Sequence, residues 1–218
     1  MHLLTSSEYR IDQFRAENVN FYKCDVTDPA AIHAIALKIR AEVRSFLLSF
    51  VTGTDGLERK IGEPTIIVNN AGIARGNSIL DTTPAQFLLT YKVNVLGAHN
   101  ILREFLPHCS FLPFVLSIAQ TDDLCTVIKI NRGHVQTTAS CAAYMSIPSL
   151  SEYCCSKAAV LALHECLTAE LVHRYNAPGV RTSVICPSKV TTAMGNSMKE
   201  GETQLCVTLD VSCLRTLC

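Results

Sequence analysis

Ile66-Ile67-Val68 runs directly into Asn69-Asn70-Ala71-Gly72. A strand with β-branched residues at successive positions has no polar face to give to water. It must be covered on both sides, as in a parallel sheet between helices. The Asn-Asn-Ala-Gly that follows is turn chemistry. The flanking chain keeps the same rhythm. Asn20 to Cys24 is predicted as a strand, and Asp28-Pro29 as the start of a helix with Ile32, Ile35, Ala36 and Ile39 on one face, ending near Val43. Thr65 to Val68 is the next strand. Thr83-Pro84 opens a long helix to about Leu106, stopped by Pro107. Gly133 to Ala139 is a strand, Ser151 to about Tyr175 a helix, and Val180 to Cys186 a further strand. Strands alternating with helices predict an α/β fold, a parallel sheet covered on both faces.

The chemistry lies in residues 140–157. Tyr153 and Lys157 are one helical turn apart and share a helix face. A phenol beside an ammonium is an acid–base device, because a nearby cation favours the phenolate. Ser140, on another element, is placed to hydrogen-bond the oxygen that Tyr153 protonates. The set suits reversible proton transfer to a carbonyl or an alcohol. Six tyrosines leave room for a chance Tyr-x-x-x-Lys, so the pair gains its weight from the Asn-Asn-Ala-Gly motif upstream.

With both motifs present in this order, the chain resembles the short-chain dehydrogenase/reductases of the Asn-Ser-Tyr-Lys type, from about Val19 to Thr192. The wording of the motifs is similar to fungal relatives of retinol and 17β-hydroxysteroid dehydrogenases. The resemblance implies a Rossmann-like doubly wound sheet and hydride transfer between NAD or NADP and a secondary alcohol or its ketone, with retinoids, steroids or other lipids as substrates. It implies Asn94, Ser140, Tyr153 and Lys157 as the catalytic set. Tyr153 would be general acid and base, and Lys157 would lower its pKa and hold the nicotinamide ribose. Ser140 would orient the substrate oxygen, and Asn94, at a local kink in its helix, would hold a water leading to Lys157. Cofactor contacts are implied for Asp25 and Val26 at the adenine, for Asn70, Ala71 and Gly72 in the turn, and for Pro187, Val190 and Thr192 after the last strand. Ser188 stands where the family has glycine in that last segment. A homodimer through the two long helices is also implied.

One family feature is absent from this sequence. The pyrophosphate is held by a glycine-rich turn at a helix N-terminus, yet no glycine precedes Gly53. The expectation is an incomplete domain lacking the first strand, the phosphate loop, the first helix and most of the second strand. The residue that selects NAD or NADP would go with them. Residues 44–62 and 109–130 are apolar without the period of a surface helix, and 202–218 departs from the family's last elements. They are either added lids or lipid-contacting segments, or stretches foreign to the family, as when non-coding sequence is translated; one cause for all of them favours the second. The strand order 3-2-1-4-5-6-7 makes the loss costly, since it bares sheet edges. The Asn20 strand is expected to run parallel to the Thr65 strand, either beside it or across a gap. The alternative to an enzyme is an inactive fragment that only dimerises, or a mis-assembled gene product. Weak nucleotide binding would leave poor turnover or none, with Tyr153→Phe changing little.

Composition narrows the partners. Nineteen basic and nineteen acidic residues cancel, so neither nucleic acid nor an anionic membrane surface is indicated. No apolar run reaches the length of a membrane span, and the N-terminus lacks a signal-peptide pattern. Eleven cysteines, an odd number without Cys-x-x-Cys, predict reduced thiols in a cytoplasmic protein. The histidines show no ligand spacing, so no metal site is expected.

Overall fold

The computed structural model describes residues 2–5, 20–52, 66–106 and 131–188. Its strands are β1 (His2–Thr5), β2 (Asn20–Lys23), β3 (Ile66–Asn69), β4 (Gly133–Thr138) and β5 (Val180–Ile185). Its helices are α1 (Pro29–Thr52), α2 (Pro84–Tyr91), α3 (Gly97–Phe105) and α4 (Ser151–His173). All three strand pairings are parallel. β1 pairs with β2 in one sheet, and β3-β4-β5 form the other. The α/β parallel architecture is as the sequence predicts. β2 and β3 are not paired with each other and belong to different sheets, so direct adjacency is not found.

Three details differ from the sequence expectation. β1 is present, where no strand was foreseen before Asn20: four residues with two leucines carry little β signal until a partner is in place. The backbone of α1 runs on to Thr52 rather than ending near Val43, since nothing between them breaks a helix and Gly53 follows. β3 is not covered on both faces. Ile67 is buried, while Ile66 is 66% and Val68 53% exposed. Val190, Thr192 and the atypical stretches 53–62, 109–130 and 202–218 lie outside the described residues.

The capping follows the sequence closely. Asp28 accepts from the amides of Ala30 (2.9 Å) and Ala31 (3.2 Å), with Pro29 at the first helical position. Ile32, Ala36 and Ile39 are buried along the predicted face. Thr83 and Gln86 form a reciprocal box: the Gln86 amide donates to Thr83 Oγ1 (3.3 Å), and the Thr83 amide donates to Gln86 Oε1 (3.0 Å). The long helix is interrupted at Lys92–Leu96 by a π-helical turn that carries Asn94.

The main core lies on one face of β3-β4-β5. Ile67, Val135 and Val180 from the strands meet Leu102, Leu106, Leu167, Leu171 and Ala177. α3 also carries the contact to α1. Arg40 Nη1 donates to Glu104 Oε1 (2.7 Å), Arg40 Nη2 donates to the Glu104 carbonyl (2.8 Å), and His33 Nδ1 lies 3.1 Å from Glu104 Oε2.

α4 lies on the sheet through polar as well as apolar groups. His164 is buried, with Nδ1 2.9 Å from Thr137 Oγ1. Burial holds its pKa below the ordinary value of 6.5. In the window just below pH 6.5 the unfolded chain therefore binds a proton that the folded chain refuses. Stability is complete above pH 6.5 and falls as pH drops through that window, by up to ~1.4 kcal/mol per pH unit from this group. Urea midpoints at pH 7.5 and 5.5 check this. The drop is expected to be smaller in His164→Gln than in the wild type, and equal drops would show that His164 is not responsible.

Candidate active site

Each parallel strand of the larger sheet delivers one part of the site at its C-terminal end. β3 ends in Asn70, Ala71 and Gly72, β4 in Ser140, and β5 in Pro187. In open α/β sheets this is the end at which ligands bind. Ser140 is buried and extended, and its hydroxyl accepts from the Ala142 amide (3.2 Å) and donates to the Pro187 carbonyl (3.4 Å). The Cys141 amide donates to the same carbonyl (3.0 Å), so the ends of β4 and β5 are tied together at the site.

α4 brings up Tyr153 and Lys157. The Tyr153 phenol comes near enough to Ser140 for the serine to act on its pKa. Lys157 is only 4% exposed, and its Nζ donates to the Thr138 carbonyl (2.8 Å) and lies 5.6 Å from the Tyr153 ring centroid. Burial pulls the Lys157 pKa from its ordinary 10.5 to about 8. The expectation that Lys157 holds the phenol down is not met. Burial pushes the Tyr153 phenol up, and the counter-pull comes from Ser140. The Lys157 Nζ lies 5.6 Å from the ring centroid, and its charge does not offset the effect of burial on the phenol.

Asn94 is almost wholly buried and grips the loop after β3. Its Oδ1 accepts from the Ile73 amide (2.8 Å), and its Nδ2 donates to the Ile73 carbonyl (3.0 Å) and to Ser156 Oγ (2.8 Å). Ser156 in turn donates to the Tyr153 carbonyl (2.8 Å). Gly72 lies between Asn94 and Lys157. A Cβ there would stand 3.4 Å from Asn94 Oδ1 and 3.5 Å from Lys157 Nζ. Thus Asn94, Ser140, Tyr153 and Lys157 come together around the Gly72 turn, with Pro187 alongside.

Asp25 and Val26 stand elsewhere, at the C-terminal end of β2. Asp25 Oδ1 accepts from the Thr27 amide (2.8 Å), which holds its carboxyl below the usual range. The Val26 carbonyl accepts from Asn100 Nδ2 (3.2 Å). A Cβ on Gly97 would come within 2.7 Å of Val26 Cγ2, so glycine is what lets α3 approach this loop. Sequence reasoning gave no role to Ser156, Glu152 or the Thr138 carbonyl. Ser156 was the findable one, since it lies inside the Tyr-Cys-Cys-Ser-Lys motif. Among the described residues no His/Cys/Asp/Glu cluster could hold a metal, and no helix is long and apolar enough to cross a membrane.

A dinucleotide's nicotinamide end fits what is present. An ammonium has three donors, and the hydrogen bond found for Lys157 among the described residues uses one of them. The others would be available to ribose hydroxyls of a bound nucleotide.

Comparison with known proteins gives the family of the chain. The profile of the short chain dehydrogenase family matches residues 5–203. The dehydrogenase RED2 of Cochliobolus heterostrophus is 32% identical over 168 residues, covering 77% of this chain and 50% of the relative. Estradiol 17-beta-dehydrogenase 11 of Homo sapiens is 30% identical over 192 residues, covering 88% of this chain and 51% of the relative. The chain thus spans about half the length of these curated relatives. A short chain dehydrogenase/reductase from Burkholderia phymatum, crystallised in complex with NAD, superposes with a TM-score of 0.66 at 25% identity, over 93% of this chain and 63% of that one. With the profile running through nearly the whole sequence, this chain belongs to the short-chain dehydrogenase family.

Proposed function

We propose that this site transfers hydride between NAD or NADP and a secondary alcohol or the corresponding ketone. The observation that carries the proposal is the buried Lys157 set between Tyr153 and the end of β4, its Nζ 5.6 Å from the Tyr153 ring centroid and donating to the Thr138 carbonyl two residues before Ser140. Tyr153 would hold the proton exchanged with the substrate oxygen, and its raised pKa keeps it a donor at neutral pH. Ser140 would fix that oxygen. Lys157 would hold the ribose, and Asn94 would keep the Gly72 turn in place and order a water towards Lys157. Pro187, Val190 and Thr192 would line the nicotinamide side, and Asp25 and Val26 the adenine. The bound nicotinamide would supply or accept the hydride. A retinoid, steroid or other lipid alcohol is the proposed substrate class, supported by the relative named for estradiol.

The proposal includes a homodimer through α2–α3 and α4, supported by the exposed apolar residues Leu88, Leu89, Leu96 and Val172. It also includes a cytoplasmic location, with which the free cysteines of the described residues agree. A second, non-catalytic reading as a dimerising chain draws on the exposed Ile66 and Val68 of β3. The deciding assay is nicotinamide reduction by a panel of secondary alcohols, with NAD and with NADP, at saturating nucleotide. Turnover with a panel member supports the enzyme, and none at any nucleotide concentration favours the second reading.

A further inference from the structure

Glu152 precedes Tyr153 in the first turn of α4 and is completely buried. Its Oε1 accepts from the Arg75 amide (3.2 Å), while its Oε2 has no hydrogen-bond partner among the described residues. A buried carboxyl with one orphan oxygen is unfavourable for folding, and an apolar side chain of the same size would serve the core better. Its remaining contact lies on the loop that leaves β3.

That loop is held from two helices at once. Asn94, in the π-helical turn, takes both the amide and the carbonyl of Ile73. Glu152, at the head of α4, takes the amide of Arg75. Gly76 follows, with a φ of +73° that places it in the left-handed region. The two clasps are themselves joined, because Asn94 Nδ2 donates to Ser156 Oγ and Ser156 donates to the Tyr153 carbonyl. The backbone carrying Asn70, Ala71 and Gly72 is therefore keyed to the helical turn that carries Tyr153.

We infer that Glu152 is a positioning residue: through Arg75 it fixes the distance between the Gly72 turn and Tyr153, and so the width of the nucleotide site. This rests on the hydride-transfer reading of the site. The contact itself can be tested without that reading.

The experiment follows amide exchange at Ile73 and Arg75 by NMR in the full 218-residue chain, with an NADH titration of each protein alongside. Glu152→Gln keeps an acceptor oxygen and Glu152→Ala removes it. Glu152→Met removes it while filling the volume, and carries the comparison if the alanine variant does not fold. Glu152→Gln is expected to keep Arg75 exchange and NADH affinity within about threefold of wild type. The variants without an acceptor are expected to speed Arg75 exchange about tenfold or more and to weaken NADH by about tenfold, with amides beyond Val160 unchanged. Unchanged Arg75 exchange in Glu152→Met overturns the inference, as does Glu152→Gln behaving like Glu152→Met. Faster Arg75 exchange with NADH affinity intact also overturns it, because the clasp would then not set the site. No NADH binding by any protein, wild type included, overturns the underlying reading and the nucleotide half of the inference with it, while the exchange data still judge the clasp.

Discussion

Exchanging Tyr153 for Phe is expected to lower secondary-alcohol oxidation at saturating nucleotide by about 10²–10⁴-fold, with nucleotide affinity changed by less than about threefold. The substitution removes one hydroxyl and keeps the ring against which Lys157 lies. Ser140 keeps its contacts to Ala142 and Pro187, so the strand ends stay tied. Burial holds the Tyr153 phenol above its ordinary pKa, so the wild-type rate of alcohol oxidation should rise with pH from neutral into the alkaline range. The residual rate of Tyr153→Phe should lack that rise. Saturation matters, because weak nucleotide binding would otherwise mask the chemical step. Steady-state rates and nucleotide titrations of both proteins, run in parallel, are the check. Equal turnover would remove Tyr153 from the chemistry, and a matching loss of affinity would make it a binding residue instead.

The affinity itself carries the second large effect. These 218 residues are expected to bind NADH about a hundredfold or more weakly than a relative that presents a glycine-rich phosphate turn. Charge-assisted hydrogen bonds to the pyrophosphate contribute ~1.5–3 kcal/mol each, and two of them already amount to about a hundredfold. No glycine precedes Gly53, so residues 1–52 cannot supply such a turn. The contacts left to the nucleotide are the proposed ones, at the Gly72 turn, Tyr153 and Lys157 for the nicotinamide end and at the Asp25–Val26 loop for the adenine. Calorimetry or nicotinamide fluorescence on this chain and on the Burkholderia phymatum protein would compare the two directly. Micromolar affinity here would show that the pyrophosphate is held by means other than glycine amides.

The parts of the fold that were legible in the sequence are those in which local chemistry and tertiary context agree. Pro84 with the Thr83–Gln86 box starts α2, Asp28 starts α1, and the Ser140–Tyr153–Lys157 spacing brings the three residues to one place. The misses have physical causes. β1 gains strand character only from its pairing with β2. Val68 looks like a core residue by type, but its exposure depends on what covers the second face of the sheet. The direction of the Tyr153 pKa depends on where the Lys157 ammonium stands, which a four-residue spacing does not fix. Glu152 looks like an ordinary acid at a helix start. Only its complete burial and its reach to Arg75 set it apart.

The π-helical turn at Lys92–Leu96 makes the site sensitive to chain length as well as to composition. Such a turn is an α-helix carrying one surplus residue, with the surplus taken up in a local bulge. A chain shortened by one residue here would close into regular helix. α2 and α3 could then keep their buried faces, so the protein would still fold. Asn94 would no longer project from the bulge towards Ile73, and the loop after β3 would lose its grip from that side. Among natural or laboratory variants of this helix, single-residue deletions should therefore separate folding from site assembly more cleanly than most substitutions do.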